Sequence, residues 1–186
     1  ISGNAGLLLE NENAFSQEKK KELYQDIYND KKWKYDLVEN LLFITRIENG
    51  TMQLNLQPEM IEDIFREAIH HLGRNKRKHN ISMHLEDDLL MANMDARLII
   101  QVLVNLINNA IKYTPENSNI SLNARRVENK ILIEVQDDGN GVLHPDQLFE
   151  MFYTENNRGG DTRRGMGLGL SLCKSIIQSH GGTIWV

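Results

Sequence analysis

Gly165-Met166-Gly167-Leu168-Gly169-Leu170 decides how this chain is read, because of what stands before it in order. Upstream lie Asn105-Leu106-Ile107-Asn108-Asn109-Ala110-Ile111-Lys112-Tyr113, then Asp137-Asp138-Gly139-Asn140-Gly141, then Phe149-Glu150-Met151-Phe152-Tyr153. Gly165, Gly167 and Gly169 immediately precede an apolar helical stripe. Amides freed of side-chain bulk and aimed from a helix N-terminus make an anion site. No Gly-Lys-Ser/Thr closes the run, so it is not a Walker A loop, and no strand leads straight into it, so it is not a Rossmann turn. A lone glycine triplet is weak evidence, since glycines gather in any tight turn. The weight lies in four blocks in this order.

The block around Asn105 sits on a helix expected from the N-cap Asp95 to Tyr113, closed by Thr114-Pro115. At about 100° per residue, Ile100, Leu103, Val104, Ile107 and Ile111 form one stripe and Gln101, Asn105, Asn108, Asn109 and Lys112 another. A surface helix looks similar. It does not explain three asparagines, poor helix formers, within five positions; such a helix presents amides to a ligand. An amide oxygen ligates a hard cation, and Mg²⁺ held between protein and phosphates takes one or two protein ligands. Asp137 ends an apolar strand and enters a glycine turn, as Asp-Gly pairs do in many proteins. A carboxylate there can also accept a hydrogen bond from an exocyclic amine, with Gly139 and Gly141 admitting close backbone approach.

Outward from these blocks, Ser16 to Asn49 holds neither glycine nor proline. Leu23, Ile27, Tyr35, Val38, Leu41, Leu42 and Thr45 recur at helix-seam spacing, and Gly50 follows as a C-cap. Ile1 to Leu9 read as the tail of a preceding helix. A hairpin of the two that dimerises into a four-helix bundle buries both stripes; a packed hairpin in a monomer is the plainer alternative. Met52 to Gln57 alternate as a strand stopped by Pro58. Ile61, Ile64, Phe65, Ala68, Ile69 and Leu72 mark a helix, and short strands follow at Ile81 to Leu85 and Leu90 to Ala92. Ile120, Leu122, Ala124 and Ile131, Ile133, Val135 form a hairpin about Glu128-Asn129. Periodicity fails from Val142 to Met166, and a last helix runs from Leu168 to His180 before Gly181-Gly182 and a strand starting at Thr183. The order implies α+β, a sheet covered by helices on one face.

Hydrophobic residues at 40% and charged residues at 25% are ordinary for a globular protein. A net charge of -5 speaks against nucleic acid as main partner. The basic run Arg74 to His79 is local and suits a helix end. One cysteine, Cys173, supports no disulfide framework and fits a reducing, cytoplasmic compartment. No apolar stretch approaches the roughly 20 residues of a membrane helix.

The four blocks resemble the N, G1, F and G2 boxes of sensor histidine kinases in the GHKL ATP-binding superfamily. The resemblance implies a GHKL (Bergerat) α/β sandwich with a mixed sheet over residues 50–186, expected to lack its C-terminal edge. Residues 1–49 resemble an incomplete dimerisation and phosphoacceptor hairpin. It implies ATP and Mg²⁺ as cofactors, Asn109 as the metal ligand, and Asn105 and Lys112 in the catalytic role. Asn105, Lys112, Gly165, Gly167, Leu168 and Gly169 then meet metal or phosphates, Tyr113 packs near adenine or lid, and Asp137, Gly139 and Gly141 take the adenine. The family spacing selects Asp137 over Asp138. Phe149, Phe152 and Tyr153 anchor the loop. Arg158, Arg163 and Arg164 lie in the lid, where a cation can reach the γ-phosphate or merely be solvated.

Gyrase and MutL, in the same superfamily, carry a water-activating Glu where this chain has Asn105, which cannot act as a base. That favours transfer to an acceptor over hydrolysis and weakens an anti-sigma-type serine kinase. The family acceptor is a histidine followed by an acidic residue, and none of His70, His71, His79, His84, His144 and His180 has that context. Ile1-Ser2-Gly3 resembles the stretch just after it, so the acceptor is expected upstream of Ile1. The implied activity is protein-histidine kinase, relaying phosphate to a response regulator receiver domain. The implied whole protein is a homodimer, membrane-associated through upstream segments. A non-catalytic dimerisation and nucleotide-binding module, or a pseudokinase, is the alternative. Arg46-Ile47-Glu48-Asn49-Gly50 and Arg163 to Leu170 resemble KdpD-type kinases.

Overall fold

The structure is a computed structural model that describes residues 6, 8, 15–50, 53–72, 78–154 and 167–186. The chain divides into two compact units, Ile1–Thr45 and Arg46–Val186.

The first helix, α1, runs Gln17–Glu48 and stops where Gly50, at φ 63°, donates its N–H to the Ile47 carbonyl at 2.9 Å. This is the glycine C-cap the sequence predicts. The expected seam is only partly buried. Leu23 is enclosed, but Tyr35, Val38 and Leu42 are exposed, and Ile44, outside the expected stripe, is buried.

In the second unit, β1 (Gln57–Met60) pairs antiparallel with β3 (Met91–Met94) as a two-stranded sheet. The strand expected at Met52 to Gln57 is therefore displaced, and Pro58 lies inside it opposite Asn93 rather than ending it. β1 pairs with β3 alone among the described strands, and a strand with a free edge tolerates a residue that lacks an N–H. A three-stranded sheet joins β2 (Asn80–Leu85), parallel to β4 (Asn119–Val127), to β5 (Lys130–Asp137), antiparallel to β4. Parallel and antiparallel pairs together make the mixed sheet. The hairpin turns at Glu128, at φ 53°. Ile120, Leu122 and Ala124 alternate inward along β4, as their period of two predicts.

Three helices complete the unit: α2 (Ile61–His71), α3 (Ala96–Tyr113) and α4 (Gly169–Ser179). α2 and α4 both pack on α3, and α3 rests on β4 and β5. Covered on several sides, α3 buries a wider stripe than one face predicts. Leu98, Ile99, Val102, Leu103, Ile107 and Ala110 are enclosed, whereas Ile100, Val104 and Ile111 are only half-buried. Asp95 is the N-cap, its side chain accepting from Leu98 N–H at 3.4 Å. Thr114 ends the helix in extended backbone, its hydroxyl donating to the Ala110 carbonyl at 2.7 Å.

The strand expected from Thr183 does not form. Residues 183–186 have no regular structure and pair with none of the described strands. The loop after Val142 holds a short 3₁₀ turn, Pro145–Gln147. Lys78, from the basic run, pairs with Glu116 in solvent. Residues 74–77, and the preceding helix apart from Gly6 and Leu8, lie outside the described residues.

Candidate functional site

The chemistry converges where α3 meets the turn after β5 and the start of α4. Asn105 and Asn109, one helical turn apart, are half-buried on α3; Asn108 between them is exposed. A Cβ placed on Gly169, the first residue of α4, would stand 3.9 Å from Asn105 Cγ. The amide face of α3 and the N-terminus of α4 are thus neighbours. Among the described residues no side chain caps the N-terminus of α4. The first amides of any helix lack intrahelical acceptors and carry its positive dipole end.

The glycines of the two boxes are first of all demanded by the chain itself. Gly167 has φ 65°, and a Cβ there would stand 2.6 Å from the Phe152 carbonyl carbon and 2.7 Å from the Tyr153 nitrogen. Phe152 N–H donates to the Gly167 carbonyl at 3.0 Å. The Phe149–Tyr153 segment therefore grips the glycine run through its backbone. Its side chains do not divide as expected, since Phe149 and Tyr153 are half-buried but the Phe152 ring is exposed. Leu168 is buried and fixes the start of α4, its carbonyl accepting from the Ser171 hydroxyl at 2.9 Å. Gly165 and the arginines Arg158, Arg163 and Arg164 lie outside the described residues.

At the other end, Asp137 closes β5 opposite Ile120. Its Oδ1 accepts the Gly139 N–H at 2.9 Å, and a Cβ on Gly139 would stand 2.7 Å from that oxygen and 3.0 Å from the Thr114 methyl. Gly141 sits at φ 74°. The neighbouring Asp138 is occupied differently. Its Oδ2 accepts from both the backbone N–H of Asn119 at 3.0 Å and its side-chain amide at 2.9 Å. Those two donors hold the Asp138 carboxyl below the ordinary aspartate value. Asp138 staples the turn to β4, whereas Asp137 Oδ2 has no hydrogen bond among the described residues.

Lys112 and Tyr113, expected at phosphate and adenine or lid, are exposed and engage each other. Lys112 Nζ donates to the Tyr113 hydroxyl at 3.0 Å and lies 4.7 Å from the ring centroid. One of the three ammonium donors of Lys112 is used in that contact.

Two neighbours of the site escape sequence reading. Thr114 looks like a helix stop, and only the packing of α3 on β5 brings its methyl against Gly139. Cys173 lies under the amide face, donating its S–H toward the Val102 carbonyl at 3.8 Å. Burial pushes its thiol up to about 12, with the Asn105 side chain pulling weakly the other way. It is buried among the apolar residues of α4 and is structural. Among the described residues no group of His, Cys, Asp and Glu is arranged to hold a metal. A cation here would depend on amide oxygens and its own phosphate ligands.

Helices over a mixed sheet, with an amide-bearing helix against a glycine-led helix start, define a class of nucleotide-binding domain. Residues 94–186 match the family of histidine kinase-, DNA gyrase B- and HSP90-like ATPases, and the chain belongs to that family. It is 35% identical over 186 residues to the sensor protein KdpD of Clostridium acetobutylicum, covering 99% of this chain but 21% of that protein's length. The fold resembles the Acinetobacter baumannii histidine kinase AdeS, with a TM-score of 0.77 at 22% identity, over 95% of this chain and 81% of that one. The catalytic domain of the histidine kinase ThkA aligns with a TM-score of 0.62 at 27% identity, over 72% of this chain and 88% of that one. ThkA in complex with the response regulator protein TrrA gives 0.70 at 22% identity, over 100% and 52%. The ATP-binding domain and its sensor-kinase kinship are thereby established.

Proposed function

We propose that this chain is the ATP-binding catalytic part of a two-component sensor histidine kinase, transferring the γ-phosphate of Mg-ATP to a histidine for relay to a response regulator aspartate. The observation that carries it is the approach of Asn105 to Gly169, which sets an amide-bearing helix face against the N-terminus of α4. Asp137, with Gly139 and Gly141 shaping its turn, takes the adenine amine. Gly165, Gly167, Leu168 and Gly169 bring backbone to the phosphates, and Lys112 adds a point charge.

The residues fit Mg²⁺. Asn109 supplies an amide oxygen as its ligand and Asn105 supports metal and phosphates, few protein ligands being usual when phosphates complete the shell. The ion supplies charge neutralisation for phosphoryl transfer. Asn105 holds no proton-accepting base, which supports transfer over hydrolysis.

Residues 1–49 act as a dimerisation hairpin in this reading. The exposed Tyr35, Val38 and Leu42 of α1 support a homodimer, since apolar stripes of this kind are buried in helix bundles. The ThkA–TrrA complex supports a response regulator as partner. Among the described residues no helix is long and apolar enough to cross a membrane.

The test joins this chain to a dimerisation helix carrying an acceptor histidine and follows γ-labelled phosphate. Acid-labile label on that histidine, lost in Asn109→Ala, is expected. Free phosphate without labelled protein would contradict the kinase, and nucleotide binding with neither product would leave only a binding module.

A further inference from the structure

α4 is tied to α3 at its far end too. His180 follows the last turn of α4, its backbone N–H donating to the Ile176 and Ile177 carbonyls at 3.2 Å each. Gly181, at φ 72°, then reverses the chain, and Gly182 N–H donates to the Ile177 carbonyl at 2.9 Å. This cap turns the imidazole toward the start of α3. Nδ1 lies 2.8 Å from the Ile176 carbonyl, and Nε2 accepts the backbone N–H of Asp95 at 3.1 Å. Only a neutral ring with its proton on Nδ1 serves both partners. Asp95 is buried, and its carboxylate also accepts from Leu98 N–H and, at 3.2 Å, from Asn55 N–H.

The two helices therefore run antiparallel, with His180 on Asp95 at one end of their contact and Gly169 beside Asn105 at the other. At about 1.5 Å per residue these places lie roughly 15 Å apart along α3 and roughly 16 Å apart along α4. Between them Leu172, Cys173 and Ile176 are buried, and the directed contact there is the long, weak one from the Cys173 S–H toward the Val102 carbonyl at 3.8 Å. Apolar burial is non-directional and resists sliding poorly compared with a directed hydrogen bond. A slip of one turn, about 5.4 Å, would carry the α4 amides past the Asn105 face.

We propose that His180 is a positioning residue. By binding the N-cap of α3 it sets the register of α4, and so aims the α4 N-terminus at the phosphates held against Asn105 and Asn109. This rests on the nucleotide reading above. It separates the two halves of the ligand: the phosphate half depends on α4 register, whereas the adenine half depends on Asp137 at the end of β5.

The experiment titrates Mg-ATP and, separately, adenosine into wild type, His180→Leu and His180→Gln, with thermal melts confirming that each is folded. Gln places an acceptor oxygen near the position of Nε2. His180→Leu should lose about tenfold in Mg-ATP affinity, equivalent to about 1.4 kcal/mol, while adenosine affinity stays within about twofold. His180→Gln should recover most of the loss. Unchanged Mg-ATP binding in His180→Leu overturns the inference, as does an equal loss for both ligands. Wild type that binds neither ligand overturns the nucleotide reading and this inference with it. Independently of any variant, ring nitrogen NMR of wild type should find the His180 proton on Nδ1; a proton on Nε2 overturns the register bond.

Discussion

α1 and α3 carry apolar residues at the same helical spacing, and the chain treats them oppositely. On α3, Leu103 is 1% exposed and Ile107 is fully enclosed; on α1, Tyr35 is 64% and Val38 53% exposed. The second unit supplies α3 with partners on several sides, from α2, α4 and the β4–β5 hairpin. The described residues supply none for that face of α1. Periodicity thus identifies a helix and its buried face without saying which molecule does the burying. Completeness within one unit encloses the face of α3 opposite the asparagines, and the exposed face of α1 is what the proposed dimer would cover.

The largest expected effect breaks the contrast at its buried end. Ile107→Ala should destabilise the second unit by about 2–5 kcal/mol through lost burial and a residual cavity. Val38→Ala should stay within about 0.5 kcal/mol in a monomeric sample, as exposed substitutions do. Chemical denaturation of both variants checks this; equal losses would erase the difference between the helices.

A second prediction sharpens the exposed end. The pair Val38→Asp and Leu42→Asp should shift any dimer toward monomer by about tenfold or more in sedimentation, because charge at a desolvated seam is costly. The melting of the second unit should not change. A dimer indifferent to both substitutions would mean that another surface associates.

The third concerns protection near the site. Cys173, buried with its thiol raised to about 12, should resist alkylation at pH 8 until the protein unfolds. Labelling at the rate of a free thiol would show that α4 lifts readily from α3.

The smallest effect is the Asp138 staple. Its folded carboxyl lies below the ordinary aspartate value, so its contribution is complete above that value and is lost as pH falls through the lowered one. The Asn119 amide resonance should titrate with a midpoint below that of a free aspartate. A midpoint at the ordinary value would contradict the double hydrogen bond.

Much of this was legible in residues. The Asp95 cap, the end of α3 at Thr114, the hairpin about Glu128 and the glycine after α1 follow from local chemistry, and each stands where the sequence puts it. What was not legible depends on neighbours in space. Pro58 reads as a strand stop until β1 proves to pair, among the described strands, with β3 alone. Thr183 reads as a strand start until no ladder meets it. Among site residues, the asparagines and glycines announce themselves by type and spacing. The division of labour between Asp137 and Asp138 needs the position of Asn119, and Lys112 resting on Tyr113 is invisible to any motif. His180 reads as a helix end, because nothing in the sequence connects it to Asp95 across 85 positions.

The central claim is that Asp137 receives adenine while Asp138 only holds the turn. Calorimetric titration of Mg-ATP into wild type, Asp137→Asn and Asp138→Asn tests it most directly. The account predicts one site per chain, an affinity loss of about tenfold or more in Asp137→Asn, and little change in Asp138→Asn. A folded wild type that binds no nucleotide, or a loss confined to Asp138→Asn, would contradict it.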